Sequence, residues 1–169
     1  REIRTAKGIS MTVHRIMIVL VWLSASNAFA EEHTIKAVAT RGLEAMFFEP
    51  SFLVVEPGDR VRFLLDDLDH QPQSVFTPDN AEPWRAEIGQ SITVTLNAEG
   101  IYVFDCAFHN VMGMTGAIVV GEPTNLADAL RFVDQYWDAT VFVNKNRRNQ
   151  IWHPTEGAIA KLWPELFAD

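Results

Sequence analysis

A thiol, an imidazole and a thioether lie close together in one short stretch of this sequence. Cys106, the chain's one cysteine, is followed three residues later by His109, and Met114 follows five residues after that. Apolar, β-prone runs at residues 101–104 and 117–120 flank the stretch, so the three side chains are predicted to lie in a tight loop between two strands. Sulfur and imidazole ligands in one loop indicate a site for a transition metal.

A second imidazole would complete a set of two histidines and one cysteine with a weak axial methionine, which is the ligand set of blue copper sites. His70, after one predicted strand and before another, is the candidate. A thiolate and two imidazoles suit both oxidation states of copper, and a distant thioether adds little bonding to either. Because no coordination position is left open, such a site is expected to transfer electrons and not to activate a substrate.

Each of these residues also has an ordinary structural explanation. A single cysteine is often a small buried hydrophobe, and methionines often fill gaps in a core. A histidine such as His70 in an acidic loop is often only solvated. Three ligand types within nine residues, between two strands, favour the metal site over three separate explanations.

The stretch from about residue 32 to about residue 130 resembles the pseudoazurins, a family of single-domain cupredoxins. The likeness rests on the motif Cys-x-x-His-x-x-Met-Gly-Met with the Ile-Val-Val-Gly that follows it, and on four shorter matches at residues 46–50, 56–59, 69–70 and 125–126. The resemblance implies that one type 1 copper ion is bound by His70, Cys106, His109 and Met114. Met112 is the competing axial ligand, and the family's pattern selects the second methionine of Met-Gly-Met.

Two positions near the implied ligands depart from the family's pattern. Gln71 replaces the asparagine that usually follows the first histidine ligand, so the hydrogen bonds that hold the copper loop are expected to differ. Phe108 replaces a proline and therefore supplies a backbone N–H. If this N–H points at the sulfur of Cys106, it withdraws charge from the thiolate and favours Cu(I).

The resemblance implies a redox protein partner, a reductase or a cytochrome, that docks on an apolar patch around the exposed edge of His109. The residues predicted for this patch are Met46, Phe108, Val111 and Met112. Pseudoazurins surround the copper face with lysines, whereas this chain places acidic residues near the ligands, namely Asp66, Asp67, Asp69 and Asp105. The partner is therefore expected to differ from the family's usual one.

The first 30 residues are predicted to be an export signal with ten upstream residues. A basic start, an apolar run over residues 16–23 and an Ala-x-Ala ending predict cleavage after Ala30 and a periplasmic protein. Eight apolar residues are too few to cross a bilayer, which needs roughly 20, so stable membrane insertion is not expected. Cleavage removes four basic residues and one acidic residue and changes the net charge from −8 to −11. This charge excludes nucleic acid as an ordinary partner and favours a basic partner surface.

Short β-prone segments separated by turns predict an all-β fold, a cupredoxin Greek-key β-sandwich over residues 31–122. A C-terminal helical extension is predicted over residues 123–169, with one helix starting at Asn125, a polar connector at residues 144–149 and a second helix over residues 155–163. Its tryptophans are expected to pack the helices on the sandwich. The alternatives are a partner-docking surface and, at His153, a second metal site without further ligands.

Three classes of function follow from a site of this kind. The first is a periplasmic electron carrier, the second a copper-binding or copper-delivery protein, and the third a fragment of a multicopper oxidase or nitrite reductase. The enzyme class is disfavoured because the five histidines include no His-x-His pair for a second, open copper centre. A closed four-ligand site favours the carrier, because a delivery site must release its metal.

Overall fold

Two four-stranded sheets form the body of the protein. The computed structural model describes residues 29–65 and 69–168, so the predicted export signal lies outside the described residues except for its last two. In chain order the strands are β1 Glu32–Arg41, β2 Glu44–Glu49, β3 Phe52–Val55, β4 Arg60–Leu65, β5 Pro72–Phe76, β6 Ile92–Thr95, β7 Gly100–Cys106 and β8 Thr115–Val120. The first sheet has the order β2-β1-β4-β6 and the second β3-β8-β7-β5. Strand β1 pairs in parallel with β4, and β3 in parallel with β8, while the other neighbours are antiparallel. The predicted all-β sandwich is confirmed.

The two β-prone runs predicted on either side of the loop, residues 101–104 and 117–120, lie within β7 and β8. Strand β2 was not predicted as a strand and was recognised in the sequence only as part of a family motif.

The main core lies between the two sheets. Along β4, buried Val61 and Phe63 alternate with exposed Arg60 and Arg62, as a strand with one buried face requires. Phe63 meets Phe104 of the opposite sheet edge to face, with ring centroids 5.1 Å apart. The same core contains Cys106 and Met114, so two predicted ligands are built into the packed interior of the sandwich.

The turn at residues 56–59, one of the family matches in the sequence, holds the start of β1. Gly58 has a φ of 98°, the left-handed conformation that the third position of a type II turn needs. The Asp59 carboxylate accepts hydrogen bonds from the Glu31 N–H at 2.8 Å and the Glu56 N–H at 3.0 Å, and it lies 3.0 Å from His33 Nε2. Burial acts to raise the pKa of Asp59, but these hydrogen bonds outweigh it and the pKa is lowered.

The C-terminal extension packs on the outer face of the second sheet. Its helices are α1 Leu126–Thr140, α2 Arg147–Trp152 and α3 Ala158–Leu162, followed by a 3₁₀ helix, Pro164–Phe167. Trp137 and Trp152 are each 5% exposed and share a core with Ile101 and Val119 of the sheet. The prediction that tryptophans pack the extension on the sandwich is therefore confirmed.

Details of the extension differ from the sequence prediction. The polar connector contains the start of α2, and the second predicted helix begins only at Ala158 because residues 154–157 form a turn. Asn125 stands at the N-cap of α1, but its side chain bonds the N–H and the carbonyl of Ile101 and makes no capping bond. In the described part of the chain, no helix is long and apolar enough to span a bilayer.

Candidate metal centre

The loop between β7 and β8 is closed by its own backbone. Cys106 is the last residue of β7, and its carbonyl accepts the His109 N–H at 3.0 Å. The Cys106 N–H in turn donates to the carbonyl of Met114 at 3.0 Å, and the Met114 N–H donates to the carbonyl of His109 at 3.3 Å. These bonds bring the three predicted ligands of the loop to one end of the sandwich. We call residues 106–114 the ligand loop.

His70 lies outside the ligand loop and comes to the same end of the sandwich from the segment before β5. It lies two residues before β5, whose first residue, Pro72, pairs with Cys106 of β7. The Nδ1 atom of His70 is 3.7 Å from the Cys106 sulfur, and the Nδ1 atom of His109 is 3.5 Å from it. The ligand atoms of all three residues lie within 4.8 Å of one another.

This spacing fits a single metal ion. Nitrogen and sulfur ligands bind a tetrahedral first-row ion at about 2.0 and 2.3 Å, which places them roughly 3.5 Å from each other. The sulfur lies at 3.5 and 3.7 Å from the two imidazole nitrogens. Thiolate and imidazole are also the donors that copper prefers. The donor set therefore fits copper in both spacing and chemistry.

The two methionines of the loop have different surroundings. Met114 is fully buried and belongs to the core that also contains Cys106. Met112 ends a short 3₁₀ helix, Asn110–Met112, and is partly exposed. A buried thioether beside the cysteine is the better placed axial donor, so the surroundings favour Met114 over Met112.

The N–H group that faces the sulfur is that of Gln71. It lies 3.4 Å from the Cys106 sulfur, and among the described residues no hydrogen bond joins the Phe108 N–H to this sulfur, so the condition placed on the effect of Phe108 is not met. The reason is the pairing of β5 with β7, which turns the backbone at Gln71 toward the sulfur and also lets the Gln71 carbonyl accept the Ala107 N–H at 3.0 Å. A hydrogen bond to the thiolate stabilises its charge.

The side chain of Gln71 forms hydrogen bonds with a different segment, residues 85–86. Its amide donates to the carbonyl of Ala86 at 3.0 Å, and its oxygen accepts a bond from the Arg85 guanidinium at 2.7 Å. The longer side chain therefore fastens the segment before β6 to the site, while the backbone of the same residue holds the ligand loop.

Asp105 was expected from the sequence to lie on the surface near the ligands, and this expectation is wrong. Asp105 is 0% exposed. The carboxylate accepts hydrogen bonds from Gln73 Nε2 at 2.9 Å, from Asn110 Nδ2 at 3.3 Å and from the Tyr136 hydroxyl. Burial raises the pKa of Asp105, and these bonds oppose the rise. The Tyr136 pKa is raised as well, mainly by burial and then by the charge of Asp105, so its hydroxyl remains a donor.

The surface next to the ligand loop is apolar. His109 is partly exposed, and Phe108 and Val111 are 49% and 42% exposed. The extension adds Phe142 and Val143, whose N–H groups both bond to the Val111 carbonyl. These two residues were not among those predicted for the apolar patch, although the Val-Phe-Val run directly after a predicted helix could have indicated them. Asp69 is exposed, while Asp66 and Asp67 lie outside the described residues.

His153 is not part of a metal site in the described structure. Its Nδ1 atom accepts hydrogen bonds from the Thr155 and Glu156 N–H groups, at 3.3 and 3.2 Å, and so stabilises the turn before α3. In residues 29–65 and 69–168, the one cluster of histidine, cysteine and acidic side chains spaced for a metal ion is formed by His70, Cys106 and His109.

Comparison with known proteins gives consistent matches. A family model described as the Cupredoxin-like domain matches residues 14–120. The chain is 32% identical over 108 residues to the pseudoazurin of Methylorubrum extorquens, covering 63% of this chain and 73% of that protein. It is 32% identical over 109 residues to the pseudoazurin of Paracoccus pantotrophus, covering 63% and 75%. The solved structures of the pseudoazurins from Methylobacterium extorquens AM1 and Hyphomicrobium denitrificans each match this chain with a TM-score of 0.56. The first is 29% identical and covers 64% of this chain and 98% of its own. The second is 30% identical and covers 64% of this chain and 94% of its own.

Proposed function

The chain belongs to the cupredoxins, as a pseudoazurin-like protein of the blue copper, electron-transfer type, and from this premise we propose that it is a periplasmic carrier of single electrons. Its fold is the cupredoxin β-sandwich with a helical extension, as the sequence predicted. The observation that supports the proposal most is the convergence of two imidazole nitrogens on one cysteine sulfur at 3.5 and 3.7 Å.

We propose that His70, Cys106, His109 and Met114 hold the one copper ion of this family. When bound, copper supplies a one-electron couple between Cu(II) and Cu(I). The chain's own residues keep the donor set in place: the Gln71 N–H holds the sulfur, and three backbone bonds close the ligand loop. Because the donors are held before the metal arrives, little rearrangement is needed when an electron is gained or lost.

Electrons are proposed to enter and leave at His109. His70, Cys106 and Met114 are each 0% exposed, whereas His109 reaches the surface among Phe108 and Val111. An apolar surface around a single exposed ligand suits a partner that binds briefly and brings its own redox centre close. The net charge of −8 favours a partner with a basic surface.

Export with cleavage after Ala30 is also a proposal. Phe29, Ala30 and Glu31 are exposed, so the junction after Ala30 lies outside the packed sandwich. After cleavage, the nitrogen of Glu31 becomes an ammonium group 2.8 Å from an Asp59 oxygen, so the new terminus would be tied to the sandwich by an ion pair. We expect the protein isolated from the periplasm to begin at Glu31 by intact mass. A protein that retains residues 1–30 would contradict the proposal.

The division of the chain into a copper-binding domain, residues 31–122, and an extension, residues 123–169, stays a prediction. The two share the core around Trp137 and Val119, so we expect them to unfold together.

The alternative function, copper delivery, requires a site that gives up its metal readily. The enclosure of three of the four proposed ligands supports the carrier instead.

Stopped-flow mixing of the copper-loaded protein tests the carrier proposal. We expect rapid electron self-exchange, retention of copper in the presence of a chelator, and electron transfer to a basic redox protein that slows as salt is added, because salt screens the attraction between opposite charges. An acidic redox protein of similar potential is the control, and its slower reaction should speed up with salt. Slow self-exchange together with ready loss of copper to the chelator would indicate delivery.

A further inference from the structure

The segment between helices α1 and α2 crosses the ligand loop, and it is anchored on both sides. We call residues 141–147, which include the first residue of α2, the strap. At its start Val141 is fully buried in the core of the extension. Farther along, Trp137 Nε1 of α1 donates to the Lys145 carbonyl at 3.2 Å. At its end Arg147 donates to the carbonyls of Ala45 and Met46, at 2.8 and 2.6 Å. The strap thus joins the extension to the first sheet across the loop.

The strap forms hydrogen bonds with the part of the ligand loop that lies between His109 and Met114. The Val111 carbonyl accepts the N–H groups of Phe142 and Val143, at 2.9 and 3.0 Å. The next carbonyl, that of Met112, accepts the side-chain amide of Asn144 at 3.0 Å. Val111 and Met112 lie in the chain between His109 and Met114. Three hydrogen bonds therefore fix the part of the loop that joins these two ligands.

The loop and the strap are also in close contact where no hydrogen bond joins them. Gly113 has a φ of 75°, and a Cβ atom at this position would lie 3.2 Å from the Val143 carbonyl oxygen and 3.4 Å from that of Asn144. Asn144 itself has a φ of 54°, a conformation that asparagine tolerates better than most residues. This backbone conformation is the one in which its amide reaches Met112.

We propose that the strap is a positioning element for the metal ligands and that Asn144 is its principal positioning residue. By holding Val111 and Met112, the strap keeps His109 and Met114 at a constant separation. A loop free to open at this point would expose the metal to competing ligands, whereas a fixed loop retains it. This inference rests on the copper site of the proposed function, but the hold of the strap on the loop can be measured without copper.

The substitution Asn144→Gly removes the amide and keeps the backbone conformation, since glycine adopts positive φ readily. We expect roughly a fivefold faster loss of copper to a chelator, the factor that corresponds to the loss of one hydrogen bond. In the copper-free protein, amide hydrogen exchange at residues 111–114 should accelerate by a similar factor. The control is Asn146→Gly in the same strap: Asn146 is exposed, has a φ of −68° and makes no side-chain capping bond.

Each outcome decides the inference. Faster exchange and faster copper loss in Asn144→Gly, with both near the wild-type values in Asn146→Gly, supports it. Equal changes in the two variants, no change in either, or faster exchange without faster copper loss overturns it. If the wild-type protein shows no intense thiolate-to-copper absorption, the proposed function fails, and the exchange measurement on the copper-free protein still decides whether the strap holds the loop.

Discussion

Replacing Cys106 with serine is expected to abolish the intense visible absorption of the copper-loaded protein. The absorption of a blue copper site arises from charge transfer between a thiolate and copper, and a serine hydroxyl cannot supply it. Serine is nearly the same size as cysteine, so the fully buried position should accept it sterically. Copper affinity should fall by more than about 100-fold, because loss of an outer hydrogen-bonding partner alone costs roughly 10–100-fold.

Titration of the purified protein with copper, followed by absorption and by electron paramagnetic resonance, measures both effects. The matched control is Met112→Leu, which changes a partly exposed sulfur of the same loop and should leave the band in place. A Cys106→Ser variant that keeps an intense visible band would refute the assignment of the sulfur ligand. A clear shift in the position of the band in Met112→Leu would instead indicate that Met112, and not Met114, is the axial ligand.

Replacing Asp105 with alanine is expected to destabilise the copper-free protein by about 3 kcal/mol or more. The carboxylate is 0% exposed and accepts bonds from Gln73, Asn110 and Tyr136. Its removal leaves three partly buried donors without their acceptor, and the lower end of the range of roughly 1–3 kcal/mol for a buried unsatisfied donor applies to each. The same change removes the hydrogen bond between Tyr136 of α1 and the strand that ends in Cys106.

Urea unfolding monitored by tryptophan fluorescence gives the free energy of unfolding for this comparison. Asp105→Asn keeps one acceptor oxygen and the size of the side chain, so it should cost less than alanine. Asp134→Ala is the control, because Asp134 pairs with Arg148 on the surface, where ion pairs contribute little. An Asp105→Ala variant no less stable than Asp134→Ala would show that the buried network does not stabilise the fold.

The sequence alone determined the fold and the four residues that we propose as copper ligands. Cys106, His109 and Met114 lie within nine residues, and β-prone runs on both sides require the loop between two strands. His70 was predicted from its position between two further strands, where the resemblance to the pseudoazurins implies this ligand, and the structure brings its ring to the sulfur. These conclusions were available because they depend on ligand chemistry and on local strand and turn patterns.

Only the tertiary structure decided the surroundings of the ligands. Asp105 was expected on the surface, but Tyr136, 31 residues later, is placed over it by the packing of α1. The N–H on the sulfur comes from Gln71, 35 residues before Cys106, because β5 pairs with β7 in a register that no local pattern specifies. The strap reaches Met112 from 32 residues away through Asn144. Three of the four proposed ligands are neighbours in the sequence, whereas burial and hydrogen bonding around the ligands depend on segments that meet only when the chain folds.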